Sequence, residues 1–122
     1  MRKNNILKEK SFSFALKVIK LYKILLNEKK EYVLSKQILR SGTSIGAMVR
    51  ESQNAASTRD FLNKLTIALK EADETQYRLE LLHHSEFIAI EEFTLLDNDC
   101  NELISILVAS VKTIKLKLNS PF

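Results

Sequence analysis

The chain predicts an all-α fold, an antiparallel, up-down-up-down, left-handed bundle of four helices. Three observations predict it. Only 2 Gly and 1 Pro occur in 122 residues that are 45% hydrophobic and 28% charged, so little interrupts regular structure. Apolar residues recur three and four positions apart over long segments, the period of a helix that buries one face. The polar segments between them are short, and short connections make successive helices antiparallel neighbours. Residues 1–122 are expected to form one domain, because a chain of this length can bury a sizeable core.

After a polar tail, the first helix is expected over residues 11–27, with Ser11 as its cap and Asn27-Glu28-Lys29-Lys30 as its end. Phe12, Ala15, Ile19, Tyr22 and Leu26 form one apolar stripe on it. Phe14, Val18, Leu21 and Leu25 form another on a nearly opposite face, which implies burial on both sides. The second helix is expected over residues 35–55, capped by Ser35, with Ile38, Ile45, Met48 and Val49 on its apolar side. The third, over residues 57–84, starts at Ser57 or Thr58 with Asp60 in its first turn, where a carboxylate complements the helix dipole. Its Phe61, Leu65, Ala68, Ala72, Thr75, Leu79 and Leu82 alternate spacings of four and three, a heptad seam. The fourth, over residues 91–118, carries a second seam of Leu96, Cys100, Leu103, Leu107, Ser110 and Ile114. It is apolar nearly all round between 103 and 111, and ends before Pro121 with Lys112, Lys115 and Lys117 at its negative end. The surplus apolar surface on the first and fourth helices predicts a homo-oligomer interface.

The net charge of +4 conceals a partition. Residues 1–40 hold 11 Lys and Arg against 3 Asp and Glu, residues 41–111 hold 5 against 12, and residues 112–122 hold 3 against none. Basic ends around an acidic middle suit an anionic partner, or subunits that meet through opposite charges. The single cysteine excludes an internal disulfide framework and fits a reducing, cytoplasmic setting. Met1-Arg2-Lys3 is basic, but Lys17, Lys20 and Lys23 break the apolar stretch that a secretion signal needs. No uncharged run is long enough to span a bilayer.

Both glycines fall in one run, Arg40-Ser41-Gly42-Thr43-Ser44-Ile45-Gly46-Ala47, inside the second helix. Each costs a helix interior about 1 kcal/mol relative to alanine. Four apart, Gly42 and Gly46 share a face, so the run marks close approach of another backbone. The seams of the third and fourth helices supply the expected neighbour. A phosphate-binding loop is excluded, because Gly-Lys-Ser/Thr after a strand is missing. Arg40 is expected to pair across the bundle with Glu71 or Glu74, one turn apart on the third helix, and so to fix register.

This run, with Leu39 before it, is followed by Ser57-Thr58-Arg59-Asp60-Phe61 and by Lys64-Leu65-Thr66-Ile67-Ala68-Leu69-Lys70-Glu71-Ala72-Asp73-Glu74-Thr75-Gln76-Tyr77. Together the motifs resemble the bacterial four helix bundle protein family, the 23S rRNA-intervening sequence proteins, from about Phe12 to Leu118. The resemblance implies an antiparallel four-helix bundle that assembles as a homopentamer. Members of that family are encoded within sequences inserted into ribosomal RNA genes and elsewhere in bacterial genomes. The family is similar to the accessory proteins of diversity-generating retroelements, basic pentamers that engage a reverse transcriptase and nucleic acid. The partners so implied are copies of the chain itself, RNA or DNA, and a reverse transcriptase-like protein. The chain departs from the family at Arg78, where a large aromatic is frequent, and at Met48-Val49-Arg50.

Chemistry-bearing residues are few. Lys17, Lys20 and Lys23 on the first helix, Lys112, Lys115 and Lys117 on the fourth, and Arg2, Lys3, Lys8 and Lys10 in the tail form the expected nucleic-acid surfaces. Binding through them would be salt-sensitive and poorly sequence-specific, because no base-reading motif accompanies them. The aromatic residues fall mainly on seams, which argues against a stacking platform. An enzymatic alternative comes from Arg78-Leu79-Glu80-Leu81-Leu82-His83, which resembles the motif of HEPN ribonucleases. There His83 would act as general acid and base, and Arg78 would stabilise phosphorane charge. Otherwise His83 and His84 simply end the helix against its dipole. No metal or cofactor site is expected: adjacent histidines diverge, and Glu91, Glu92, Asp97, Asp99 and Glu102 lack the loop glycine and ligand order of a calcium site. Cys100 reads as a small core residue. A non-enzymatic oligomer that binds nucleic acid or a nucleic-acid-handling protein is the leading expectation, with a pure protein-interaction scaffold as a further alternative.

Overall fold

A computed structural model describes residues 2–119, with side chains from residue 6 onward. It gives four helices: α1 (Arg2–Asn27), α2 (Leu34–Ser52), α3 (Thr58–His84) and α4 (Ile90–Leu118). Among the described residues there is no strand. Each helix packs on the next, and α4 returns to α1 in the thinnest of the four contacts. The core lies on the axis the helices share, where their buried apolar residues form one cluster.

α1 begins at Arg2 rather than at Ser11. Ser11 is not a cap but a buried mid-helix residue whose hydroxyl donates to the Lys8 carbonyl at 3.2 Å. Leu7, Ser11, Phe14, Val18, Leu21 and Leu25 are all buried and make one heptad seam that continues into the supposed tail. The two predicted stripes are not opposite. At 100° per residue they lie roughly 110° apart, so they adjoin as one broad face. Ala15, Ile19, Tyr22 and Leu26 are half-buried on its flank. On α1 only Phe12, 56% exposed, and Leu16, 53% exposed, are large apolar side chains more than half in solvent.

α2 starts at Leu34 without a side-chain cap from its flanking residue. Instead the Glu31 carboxylate accepts the backbone N–H groups of Ser35 at 2.7 Å and Val33 at 3.3 Å, placing negative charge at the positive end of the helix. Ser35 itself is buried and its hydroxyl has no partner. The helix stops at Ser52 rather than at 55. Ser57 caps α3 by accepting the Asp60 N–H at 3.0 Å, and Asp60 accepts the Ala56 N–H at 3.1 Å in return. α3 closes in a Schellman turn: Glu86 takes φ 67°, and the Phe87 N–H reaches the Leu82 carbonyl at 2.9 Å. The α4 seam runs through buried Leu96, Cys100, Leu103 and Leu107, then shifts to Val111, leaving Ser110 and Ile114 half-buried.

The glycines meet α1, not the seams of α3 and α4. A Cβ on Gly42 would stand 2.8 Å from both Val18 methyl carbons, and one on Gly46 would stand 3.4 Å from the Ser11 carbonyl oxygen. α3 instead meets the preceding residue, Ser41, whose hydroxyl lies 2.9 Å from that of Thr75. One residue is about 100° of helical rotation, enough to turn Ser41 to one neighbour and Gly42 to the other.

Candidate functional site

Arg40 projects from α2 toward α3, 3.3 Å from Glu71 and 3.5 Å from Glu74. Arg78, one turn beyond Glu74, lies 3.7 Å from the same Glu74 carboxylate. The outer member of this row, Arg40, is more than half exposed, whereas Glu71 keeps only 14% of its side chain in solvent. Within the small-residue run, Thr43 donates to the Leu39 carbonyl at 2.7 Å and Ser44 to the Arg40 carbonyl at 2.6 Å. Their hydroxyls are therefore satisfied on their own helix. The polar groups of this region are thus taken up by α2 itself and by its contact with α3.

The acidic patch of α4 is tied to both flanking helices. Lys17 donates to Asp99 at 2.7 Å and Lys10 stands 3.0 Å from Glu102, joining α4 to α1. Gln76 of α3 donates to Asp97 at 3.1 Å and to Asn101 at 2.6 Å. Lys17, expected on a nucleic-acid surface, is thus engaged within the chain. Lys20, Lys23, Lys112, Lys115 and Lys117 are exposed. The side chains of Arg2 and Lys3 lie outside the described residues. Among the described residues, Lys8, Arg50 and Arg59 carry no ion pair, whereas Lys64 stands 3.5 Å from Glu51. Arg50 and Arg59 flank the α2–α3 turn and did not stand out in the sequence.

Between α1 and α2 lies a groove of about 340 Å³, floored by Thr43, Gly46 and Ala47 and edged by Lys8, Phe12 and Arg50. It adjoins a further space of about 410 Å³ lined by Lys8, Glu9, Phe12 and Arg50. The short side chains of α2 leave this depth. Phe12 departs from the expectation that aromatics sit on seams: its ring is exposed, while Phe14 is 1% exposed.

The two residues of the ribonuclease motif go to different places. Arg78 reaches Glu74. His83 stacks on Phe93 with ring centroids 4.7 Å apart, and its Nδ1 lies 3.4 Å from the Ile88 carbonyl oxygen. His83 thus packs at the turn into α4, while Arg78 faces a carboxylate of its own helix. The Cys100 thiol, donating to the Ala72 carbonyl at 3.3 Å, is pushed up to about 12 by burial, with Asp97, Asp73 and Asp99 adding to the effect. A thiol so reluctant to ionise is a poor nucleophile. Among the described residues no group of three His, Cys, Asp or Glu side chains could hold a metal ion. No described helix is long and apolar enough to cross a membrane.

A family model described as 23S rRNA-intervening sequence protein matches residues 3–109. Among solved structures, the chain is similar to a protein of unknown function from the S23 ribosomal protein family of Bacteroides thetaiotaomicron VPI-5482. The two are 54% identical and superpose with a TM-score of 0.89, over 90% of this chain and 98% of that one. No curated protein matches.

Proposed function

Since the chain belongs to the family of 23S rRNA-intervening sequence proteins, we propose that it is a non-enzymatic, cytoplasmic, one-domain bundle that self-associates and binds nucleic acid through a basic end. The order of contacts supports an antiparallel course. Gly42 faces Val18 while Gly46 faces Ser11. Arg40 meets Glu71 while Glu51 meets Lys64. His83 meets Phe93 while Cys100 meets Ala72. Lys17 meets Asp99 while Lys10 meets Glu102.

One observation carries the functional reading. An antiparallel course brings the start of α1, the α2–α3 turn and the close of α4 to the same end. On such a course Lys8, Arg50, Arg59, Lys112, Lys115 and Lys117, exposed and without ion pairs among the described residues, would share that end although they come from three distant stretches of chain. Such a cluster supports phosphate binding to RNA or DNA, and equally an acidic face of a reverse transcriptase-like partner protein. Exposed Leu95, Val108 and Leu116 of α4 and Leu16 of α1 support a homo-oligomer, a pentamer by family. A ring would repeat the basic end in every subunit and add weak contacts through multivalency. Gel retardation with RNA and DNA at about 50 mM salt should show binding that falls steeply toward 200 mM. Failure to retard either at low salt overturns the nucleic-acid reading, and sedimentation as a stable monomer at micromolar concentration overturns the assembly.

A further inference from the structure

We propose that the groove between α1 and α2 binds an unpaired nucleotide of a single-stranded nucleic acid, with the base stacked on Phe12 and the adjoining phosphates held by Lys8 and Arg50. The inference rests on the nucleic-acid reading above and specifies where, and in what form, the strand is held.

Four observations converge on the groove. Phe12 exposes 56% of its surface, although burying a phenyl ring is worth about 1.5–3 kcal/mol. Lys8 and Phe12, four residues apart, share one face of α1, and Gly46 and Arg50 share one face of α2, so the four line opposite sides of the same groove. The charge is uneven. Lys8 and Arg50 have no ion-pair partner among the described residues, and Glu51 beside Arg50 is turned to Lys64 at 3.5 Å. Glu51 lines the groove and Glu9 its outer wall; with Glu51 paired to Lys64, Glu9 is the carboxylate left facing the two cations. The space, about 340 Å³ over Thr43, Gly46 and Ala47, falls within the ~300–1,000 Å³ typical of small-ligand clefts.

An exposed aromatic face between two cations is the arrangement that holds single strands, since every base has a face to stack and every linkage a phosphate to neutralise. Bases in a duplex have both faces covered by their neighbours and do not reach Phe12 without unstacking. The groove therefore discriminates by strandedness and not by sequence. RNA and DNA present the same chemistry here, and separate uridylate and thymidylate oligomers distinguish them.

The chain has no Trp, so Phe12→Trp introduces a single reporter at the site. On the full chain at low salt, its emission should be quenched by single-stranded oligouridylate or oligothymidylate and unchanged by duplex. Phe12→Leu keeps apolar bulk without a stacking face. It should lower single-strand affinity about fivefold or more with the sedimentation coefficient unchanged. Lys8→Ala and Arg50→Ala should each reduce the log–log salt slope by about 1. If oligonucleotides bind but Phe12→Trp emission does not respond and Phe12→Leu binds like wild type, the groove is overturned and the nucleic-acid reading stands. If Phe12→Leu alters assembly instead of affinity, Phe12 belongs to a subunit contact and the groove is likewise overturned. If the wild type binds no oligonucleotide at low salt, both fall.

Discussion

On its α2 side, α1 comes so close that a Cβ on Gly42 would stand 2.8 Å from two methyl carbons of Val18. On its α4 side the contact is the thinnest in the molecule. There, Lys17–Asp99 and Lys10–Glu102 bridge the helices, beside a groove of about 250 Å³ edged by Lys20, Ile24, Glu92 and Leu95. The two sides show two ways of joining helices. Close approach requires small residues, excludes water and is indifferent to salt. Long lysine side chains reach across a wider gap, keep their ends in water and are screened by ions. α4 repeats the contrast within two residues: Asp99 turns to Lys17 of α1, and Cys100 is buried against the Ala72 carbonyl of α3.

The largest effect should come from filling the tight side. Val18 is β-branched and holds essentially one rotamer in a helix, so it cannot swing away from a new side chain at Gly42. Gly42→Leu should cost more than about 3 kcal/mol and lower the melting temperature by about 10 °C or more, or prevent folding. Gly42→Ala should be milder, and Val18→Ala should partly rescue it in a double-mutant cycle. The second glycine is not equivalent. At 3.4 Å from the Ser11 carbonyl oxygen, an added methyl makes ordinary contact. Gly46→Ala should therefore be neutral or stabilising by up to about 1 kcal/mol through helix propensity. Equal losses at both glycines would refute the account of the tight side.

How far these features could be read in advance depends on what each residue type leaves ambiguous. α3 was legible nearly to the residue, because its seam is unbroken and Ser57 with Asp60 form a cap recognisable by spacing. The start of α1 was not, because a serine inside a seam looks like a serine before one. Only Leu7, four positions earlier, signals that the seam continues. The small-residue run was visible, but its neighbour was not, since the choice between α1 and α3 turns on the rotation between Ser41 and Gly42. The Arg40 row was legible because Glu71 and Glu74 mark a single helix face. The Lys17–Asp99 pair is not legible in the sequence, because the partners lie 82 residues apart. The exposure of Phe12 is not legible either: its spacing fits the stripe, and the small Gly46 and Ala47 that line the groove with it belong to a different helix.

The neutral seam of α4 carries a pH signature. The Cys100 thiol is raised from 9.0 to about 12, chiefly by burial. Below pH 9 both folded and unfolded chains hold the proton, and stability owes nothing to pH through this group. Between pH 9 and 12 the unfolded chain releases it while the folded chain does not, so this contribution is lost as pH rises. Cys100→Ala should flatten that part of the alkaline unfolding profile. At pH 8 a thiol reagent should label the native protein at least about a hundredfold more slowly than the unfolded chain. Rapid labelling of folded protein would show that the seam is open to solvent.

Arg40 lies between the two extremes, a charged contact on the close-packed α2–α3 side. Its own side chain is 57% exposed, but Glu71 beneath it retains only 14% and has one oxygen without a partner. Arg40→Ala should cost about 0.5–1 kcal/mol. A double-mutant cycle should couple Arg40 more strongly to Glu71 than to the more exposed Glu74. Equal, negligible coupling to both would place this row with the solvated pairs of α1 and α4.

The smallest effect belongs to the wide side. Lys17 and Asp99 retain 53% and 33% of their side chains in solvent, and Lys10 and Glu102 retain 42% and 51%. Water competes for both partners, so each pair is worth about 0–1 kcal/mol, and less as salt is added. Lys17→Ala should lower stability by less than about 0.5 kcal/mol at low ionic strength and by nothing measurable near 1 M salt. The Gly42→Leu penalty should be unchanged over the same range, because it is steric. A salt titration of both variants against wild type separates the two kinds of contact. A Lys17→Ala penalty that survives 1 M salt would mean that α4 is held to α1 by packing of the lysine stem, and that the two sides of α1 differ in distance but not in kind.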